Sequence, residues 1–225
     1  MQNIEIKGTI CSNDDGWIYD YFGIENTTPK KIRDALAETD KPVTVEINSG
    51  GGDLFAGNEI YYMLHERGNV TVDIVGMAAS AATIIACGGS LVRAVPGVQY
   101  MIHNVSCGAY GDYNEMDKTS EILQNANISI SNIYQLKTGL SEEKLLSLMN
   151  EESWFDAKRA KELGFIDEII GENKKRTLNN SFCQILSDEV KERIRNTVSN
   201  PEELRDLEIK QKQLTLLKLK GGKNK

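Results

Sequence analysis

Four features of this 225-residue sequence could support nucleophilic and acid–base chemistry. They are a serine among small residues, Ser80; a histidine after an apolar run, His103; three consecutive glycines at residues 50–52; and an acidic segment at residues 150–156. A serine hydroxyl becomes a nucleophile when a histidine takes its proton, an acid holds that histidine, and backbone N–H groups stabilise the oxyanion. The four features supply candidates for each of these roles.

Ser80 is predicted to lie at the start of a helix that directly follows a strand. Residues 70–75 alternate like a strand, Gly76 permits a turn, and small or apolar residues then run at helical spacing to Gly88 and Gly89. The first N–H groups of a helix have no intrahelical partner, so they would stabilise an oxyanion beside Ser80. An N-cap role is the alternative for a serine at this position.

The two histidines have different predicted surroundings. His103 follows the predicted strand of residues 98–102, where a side chain can reach the sheet edge and the neighbouring loops. His65 lies in the last turn of a predicted helix, which favours a solvated histidine that complements the helix dipole. A hydrogen-bonded structural histidine remains the alternative for His103.

Gly50, Gly51 and Gly52 let the backbone approach a bound group closely and direct N–H donors at it, as an oxyanion hole requires. A phosphate loop fits less well, because no GxGxxG or GxxxxGK[ST] pattern is present and Asp53 stands where a lysine would be needed. A flexible turn is the structural alternative, although it would ordinarily need fewer glycines.

The acidic segment offers three carboxylates, Glu151, Glu152 and Asp156. Asp156 precedes a predicted helix and is explained as its N-cap, which leaves Glu152 or Glu151 to orient a histidine. The four cysteines are far apart and form no metal-ligand pattern, so we expect reduced thiols, no metal and no cofactor.

Strands and helices alternate along residues 1–170, which predicts an α/β fold with a parallel sheet and helices outside it. Residues 17–22 are predicted as a short strand. The longest helical pattern covers residues 113–138, about 39 Å at about 1.5 Å per residue, and this length favours a contact between subunits. After Gly171 the sequence becomes polar, so residues 171–225 are predicted to be a basic, partly helical or flexible C-terminal extension.

The net charge of −7 is unevenly distributed. Residues 171–225 carry 13 Lys and Arg against 8 Asp and Glu, a net of +5, which leaves the rest of the chain at −12. An acidic body argues against nucleic acid as the main ligand. The N-terminal sequence lacks a signal-peptide profile and no apolar run is long enough to cross a bilayer, so we expect a cytoplasmic protein without a membrane partner.

Four segments, in their order and spacing, resemble the ClpP-type serine peptidases: residues 47–53, 76–81, 101–104 and 154–169. The sequence is most similar to the phage and prophage ClpP-like proteins described as head-maturation or prohead proteases. The resemblance covers roughly residues 1–170. It implies a ClpP/crotonase-like spiral of ββα units, with the long protruding helix joining rings face to face.

The resemblance also implies a role for each candidate residue. Ser80 corresponds to the nucleophile, His103 to the general base and Glu152 to the acid of a catalytic triad. The N–H groups of Gly52 and Ala81 correspond to the oxyanion hole. The extended substrate would lie along the edge formed by residues 50–54, with the loop of residues 106–112 beside it; the substrate-binding residues are then Gly50, Gly51, Asp53 and Leu54.

This chain departs from the family pattern in three places. The family has a proline where Gly50 stands, which would make that loop more flexible here. Its triad acid is an aspartate, whereas Glu152 is one methylene longer. We also do not recognise the N-terminal axial-loop sequence that engages an unfolding ATPase, so we expect a peptidase that acts without ATP on accessible or unfolded segments.

The expected function is therefore a serine endopeptidase that forms an acyl-enzyme and acts in phage capsid maturation or scaffold removal, in the bacterial cytoplasm or inside the prohead. Its expected partners are further copies of itself, in single or stacked rings, and a peptide or unfolded protein substrate. Two alternatives remain open. One is a ring-forming structural or scaffold-binding protein with a latent site, and the other is a crotonase-like acyl-CoA enzyme.

Overall fold

The computed structural model describes residues 2–172, so all but the start of the predicted C-terminal extension lies outside the described residues. Within that range the chain forms eight strands and seven helices, which run in the order β1 (Gln2–Ile10), α1 (Gly16–Tyr21), β2 (Asn26–Thr27), α2 (Pro29–Ala37), β3 (Val43–Gly52), α3 (Leu54–Arg67), β4 (Val70–Ala79), α4 (Ala81–Ala86), β5 (Leu91–Ala94), β6 (Gln99–Ile102), α5 (Tyr113–Thr138), α6 (Glu142–Asn150), β7 (Ser153–Phe155), α7 (Ala157–Glu162) and β8 (Glu168–Ile169).

The strands form one sheet in the order β2-β1-β3-β4-β5-β8, with parallel pairing throughout this path. β6 lies off the path, because it pairs in parallel with the end of β4 and antiparallel with β7. β-branched side chains of the central strands are fully buried, as parallel strands covered by helices require; they include Ile6, Val45, Ile47, Val72 and Ile74. The predicted α/β fold with a parallel-dominated sheet is confirmed.

Two central strands extend further than predicted, and both lead to the candidate site. β3 includes all three glycines, since Gly51 and Gly52 pair with Thr9 and Ile10 of β1; the predicted glycine loop is therefore a strand end. The predicted turn at Gly76 is also wrong, because β4 continues to Ala79. A β-carbon at Gly76 would lie 2.4 Å from the Asn48 side chain, so this glycine makes room for a neighbouring strand's amide.

The predicted strand at residues 17–22 is wrong, because this segment forms helix α1. Its aromatic residues have high strand propensity, which is easily overridden by context. A turn stabilised by Ser12 and Asp15 begins the helix: the Asp15 N–H donates to Ser12 Oγ at 3.1 Å, and Ser12 Oγ donates to the Asp15 carboxylate at 2.8 Å. Trp17 and Tyr21 lie on its exposed side.

Helix α5 has the predicted bounds. Asp112 and Glu115 form a capping box at its start, and Gly139 ends it with a φ of 73°. Its buried residues lie only in the C-terminal half, including Ile130 and Tyr134. The N-terminal half has no buried residue in the single chain, so it is free to contact another surface.

Candidate active site

Ser80 lies between the end of β4 and the first residue of α4, with a φ of 54° and a ψ of −126°. This backbone conformation costs a non-glycine residue roughly 1–3 kcal/mol and persists only where the surrounding structure enforces it. The Ser80 N–H donates to Met101 O at 3.0 Å, which ties the strained residue to β6. Ser80 occupies the N-cap position of α4, but its side chain makes no cap hydrogen bond, so a capping role of its hydroxyl is wrong.

His103 directly follows β6, and its Nε2 lies 2.8 Å from Ser80 Oγ. The two residues meet because Ala79, at the end of β4, is paired with Met101 in β6. With the ring proton on Nδ1, Nε2 is free to accept the serine proton. The structure thus brings the predicted nucleophile and base within direct hydrogen-bond distance.

A cavity of about 360 Å³ opens beside the serine and the histidine. Gly52 and Ala81, the predicted oxyanion-hole residues, line it together with Ser80 and His103. Ala81 is the first residue of α4, so its N–H has no partner within that helix and can serve as a donor. The rest of the wall is mainly apolar and comes from α3, α4, α5 and the loop after His103; it includes Leu54, Phe55, Ile84, Val105, Ile122 and Ile130.

The four predicted substrate-binding residues have different positions. Asp53 and Leu54 line the cavity, and the Asp53 carboxylate also caps α3 by accepting from Ala56 N–H at 2.7 Å. Gly50 and Gly51 are not among the lining residues of this cavity. Gly51 instead lies against the nucleophile, since a β-carbon there would approach Ser80 Cβ to 2.7 Å.

The structure assigns separate contacts to two of the three candidate acids. The Asp156 carboxylate accepts from Arg159 N–H at 2.7 Å and caps α7, as predicted. Glu151 accepts from Ser147 Oγ at 3.1 Å. Both carboxylates therefore contact their own helices and not the histidine.

Glu152 occupies a backbone position that favours a role beside His103. β6 and β7 pair antiparallel and their last pair is Ile102 with Ser153, so His103 and Glu152 each lie one residue beyond that pair. Its φ is 48°, and it and Ser80 are the two non-glycine residues with positive φ among residues 2–172. The Glu152 carboxylate contacts Trp154 Nε1 at 3.4 Å, and no hydrogen bond joins it to His103 among the described residues. Its role as the triad acid stays a prediction.

Two hydroxyl groups behind the nucleophile were not singled out from the sequence. Thr83 Oγ1 donates to Ser80 O at 2.6 Å and lies 2.6 Å from Tyr134 Oη on α5. Burial raises the pKa of Tyr134 and of the adjacent Tyr100 well above the ordinary value, so both phenols stay protonated. The sequence pattern that could have identified Tyr134 is its helical spacing with Ala126 and Ile130, because all three residues lie on the face of α5 that lines the cavity.

Three further observations concern metal ligands, membrane spans and cysteines in residues 2–172. No group of three or more His, Cys, Asp or Glu side chains in residues 2–172 is arranged to hold a metal ion. Within the same range, no helix combines the length and apolar character needed to span a membrane. Three of the four cysteines lie in this range, and Cys11, Cys87 and Cys107 are free thiols.

Two curated relatives are proteolytic subunits of ATP-dependent Clp proteases. The chain is 32% identical over 133 residues to the ATP-dependent Clp protease proteolytic subunit of Bacteroides fragilis, an alignment that covers 58% of this chain and 64% of that protein. It is 30% identical over 150 residues to the ATP-dependent Clp protease proteolytic subunit 1 of Streptomyces coelicolor, covering 65% of this chain and 68% of the relative. The chain thus spans less than two thirds of the first relative's length.

The residues that form the candidate site lie inside a longer region of family similarity. The family model described as Clp protease matches residues 32–173, which is more than half of the chain. This range includes the strained serine, the histidine, the glycines of β3 and the acidic segment. The chain therefore belongs to the Clp protease family.

Proposed function

We propose that this protein is a serine endopeptidase in which Ser80 is the nucleophile and His103 is the general base. The observation that carries the proposal is the 2.8 Å contact between Ser80 Oγ and His103 Nε2 beside a cavity lined by two candidate oxyanion donors. A serine used only as a helix cap would direct its hydroxyl at the helix N–H groups. Here the hydroxyl contacts the histidine.

The proposed reaction follows from these positions. Ser80 Oγ attacks the substrate carbonyl carbon while its proton passes to His103 Nε2, and the resulting oxyanion accepts from Gly52 and Ala81 N–H. The C–N bond then breaks as His103 returns the proton to the leaving amine, which leaves an ester on Ser80. Water attacks this ester with His103 again acting as base, and the acid product and free Ser80 are released.

Glu152 completes the proposed triad by a rotation of its side chain away from Trp154. Its backbone lies one residue beyond the Ile102–Ser153 pair, as that of His103 does, and this supports the role because an acid that accepts from Nδ1–H fixes the tautomer the base needs. Glutamate is longer than the family's aspartate, and the extra methylene gives the carboxylate the reach to turn from one partner to the other.

The substrate class follows from the cavity. Its apolar wall fits a hydrophobic side chain, and the strand end at Gly52 offers an edge for an extended peptide. A peptide bond can reach Ser80 only in an accessible or unfolded segment. We therefore propose accessible or unfolded protein segments as substrates. On the resemblance to phage head-maturation proteases, we further propose that these are capsid or scaffold segments, cleaved without ATP in phage capsid maturation or scaffold removal.

We further propose that the active form is a ring-shaped homo-oligomer. Exposed apolar residues on the N-terminal half of α5, such as Met116 and Ile122, support this assembly because a partner surface would bury them. The free thiols Cys11, Cys87 and Cys107 support a reducing compartment, the bacterial cytoplasm.

Hydrolysis of a fluorogenic peptide with a hydrophobic residue before the cleaved bond, measured without nucleotide, tests the proposal. Wild type is expected to turn over, whereas Ser80→Ala and His103→Gln lose at least about a thousandfold in kcat. Ser129→Ala is the matched control, because Ser129 is exposed, donates to Asn125 O on its own helix and does not line the cavity. Equal activity of Ser80→Ala and wild type would overturn the assignment, and a need for ATP would overturn the ATP-independent part.

A structural or scaffold-binding role with a latent site is the second candidate. It is favoured by one observation, the absence of a carboxylate on His103 among the described residues. It predicts an assembled protein that neither hydrolyses peptides nor depends on Ser80 for its effect on capsid assembly. The activity measurement above separates the two candidates.

A further inference from the structure

A buried chain of hydroxyl groups connects α5 to the nucleophile, and its interpretation depends on the proposed function. Tyr134 Oη lies 2.6 Å from Thr83 Oγ1, which in turn lies 2.6 Å from the carbonyl oxygen of Ser80. Thr83 is 0% exposed and Tyr134 is 2% exposed. Both side chains are therefore shielded from bulk solvent.

The direction of the two hydrogen bonds follows from counting protons. The Ser80 carbonyl can only accept, so Thr83 Oγ1 donates its single proton to it. Thr83 Oγ1 must then accept from Tyr134, whose hydroxyl is the donor at the end of the chain. A phenol kept protonated by burial supplies this donor at every physiological pH.

The Ser80 carbonyl and the Ala81 N–H belong to one planar peptide unit and point in opposite directions. Any bond that fixes the carbonyl on one side of this plane also fixes the N–H on the other side. We propose that Tyr134 and Thr83 are positioning residues that aim the Ala81 N–H at the oxyanion of the substrate. Their hydroxyl groups do not contact the reacting atoms, and they act through the Ser80–Ala81 peptide.

The size of the effect is set by what else holds this peptide. The Ser80 carbonyl also accepts from Thr83 N–H at 2.9 Å, so the hydroxyl is one of two restraints. Complete loss of an oxyanion donor costs about 100- to 1000-fold in kcat. Loss of one restraint is expected to leave the donor present but less well aligned, which corresponds to about a tenfold loss.

Four variants test the proposal in the full chain. Tyr134→Phe removes only the Tyr134 hydroxyl. Thr83→Val removes the Thr83 hydroxyl at nearly constant side-chain volume, and Thr83→Ser keeps a hydroxyl at this position. Ser131→Ala is the matched control, because Ser131 is equally buried on α5 but donates to Ile128 O on its own helix. Each variant is compared with wild type for kcat, KM, the pH profile and the melting temperature.

We expect Tyr134→Phe and Thr83→Val to lose about tenfold in kcat, with KM within twofold, because the oxyanion contact forms only in the transition state. The pH profile should keep its shape, since the base is untouched. Thr83→Ser should recover most of the activity, and Ser131→Ala should match wild type. Equal kcat in Tyr134→Phe and Ser131→Ala, or equal losses in Thr83→Val and Thr83→Ser, would overturn the proposal.

A structural readout decides the question independently of turnover. The crystal structure of Tyr134→Phe is compared with that of wild type. In the variant, the Ser80–Ala81 peptide should be rotated and the distance from Thr83 Oγ1 to Ser80 O should be longer. An unchanged peptide orientation would overturn the positioning role. A wild-type protein with this contact but without hydrolytic activity would instead contradict the proposed function.

Discussion

The three glycines of β3 differ in the space available for a β-carbon, and this difference predicts different effects of substitution by alanine. A β-carbon at Gly51 would lie 2.6 Å from Ala79 O and 2.7 Å from Ser80 Cβ, at a φ of 93°. At Gly50 the nearest neighbour would be Met77 Cε at 3.5 Å, an ordinary contact, and φ is not in the left-handed region. Gly51→Ala should therefore disturb the nucleophile, whereas Gly50→Ala should not.

The magnitude for Gly51→Ala has two parts. The unfavourable φ costs about 1–3 kcal/mol, and overpacking against the β4–α4 junction costs about 1–3 kcal/mol. Together they lower the free energy of unfolding by about 4 kcal/mol, a large share of the roughly 5–15 kcal/mol of a typical domain. Since about 1 kcal/mol shifts the melting temperature of a chain this size by about 2–4 °C, we expect a decrease of about 10 °C.

Catalysis should change as well, because relief of the clash moves Ser80 away from His103. A displacement of about 1 Å at a reacting group costs about 100-fold in kcat. Thermal unfolding and peptide hydrolysis of Gly50→Ala, Gly51→Ala and wild type, measured side by side, check both effects. If Gly51→Ala matched Gly50→Ala in melting temperature and kcat, the contacts described for Gly51 would be wrong.

Three further predictions concern other parts of the protein. Glu152→Gln should lower kcat by about 100-fold or more at unchanged melting temperature, because a neutral amide cannot stabilise the histidine cation; full activity of this variant would remove Glu152 from the triad. Burial raises the pKa of Cys87 to about 12, so at pH 8 only about one molecule in ten thousand carries its thiolate. Peptide mapping after brief iodoacetamide treatment should therefore find the exposed Cys107 alkylated and Cys87 unmodified. The reverse pattern would contradict the fold. Asp167→Ala should lower the free energy of unfolding, measured in urea, by about 2 kcal/mol, because the Val92 N–H that donates to Asp167 Oδ2 at 2.7 Å would lose its acceptor. An unchanged midpoint of urea unfolding would refute this prediction.

The elements that carry local signals could be predicted from the sequence. Thr28 and Pro29 mark the start of α2, and the structure confirms this N-cap, with the Thr28 side chain accepting from Lys31 N–H at 3.3 Å. The long helix also has its predicted bounds, because its apolar spacing continues without interruption to Gly139. Ser80 and His103 could be paired because each follows a strand and neighbouring parallel strands end at the same edge.

The features that were missed depend on contacts between distant segments. Gly76 was predicted as a turn because glycine often ends a strand. In the structure, its lack of a side chain leaves space for the Asn48 side chain on β3. The aromatic run at residues 17–22 was predicted as a strand, although a helix forms there after the Ser12–Asp15 turn. The Thr83 and Tyr134 hydroxyls lie 51 positions apart, so no local pattern could join them.

The central claim is that Ser80 is an activated nucleophile, and covalent labelling tests it most directly. The full-length protein is treated with a fluorophosphonate probe, digested and mapped by mass spectrometry, with Ser129→Ala and His103→Gln treated in parallel. The site geometry predicts a single adduct on Ser80 in wild type and in Ser129→Ala, and a strongly reduced adduct in His103→Gln. An assembled, folded wild type that remains unlabelled at Ser80, or labelling that does not depend on His103, would contradict it.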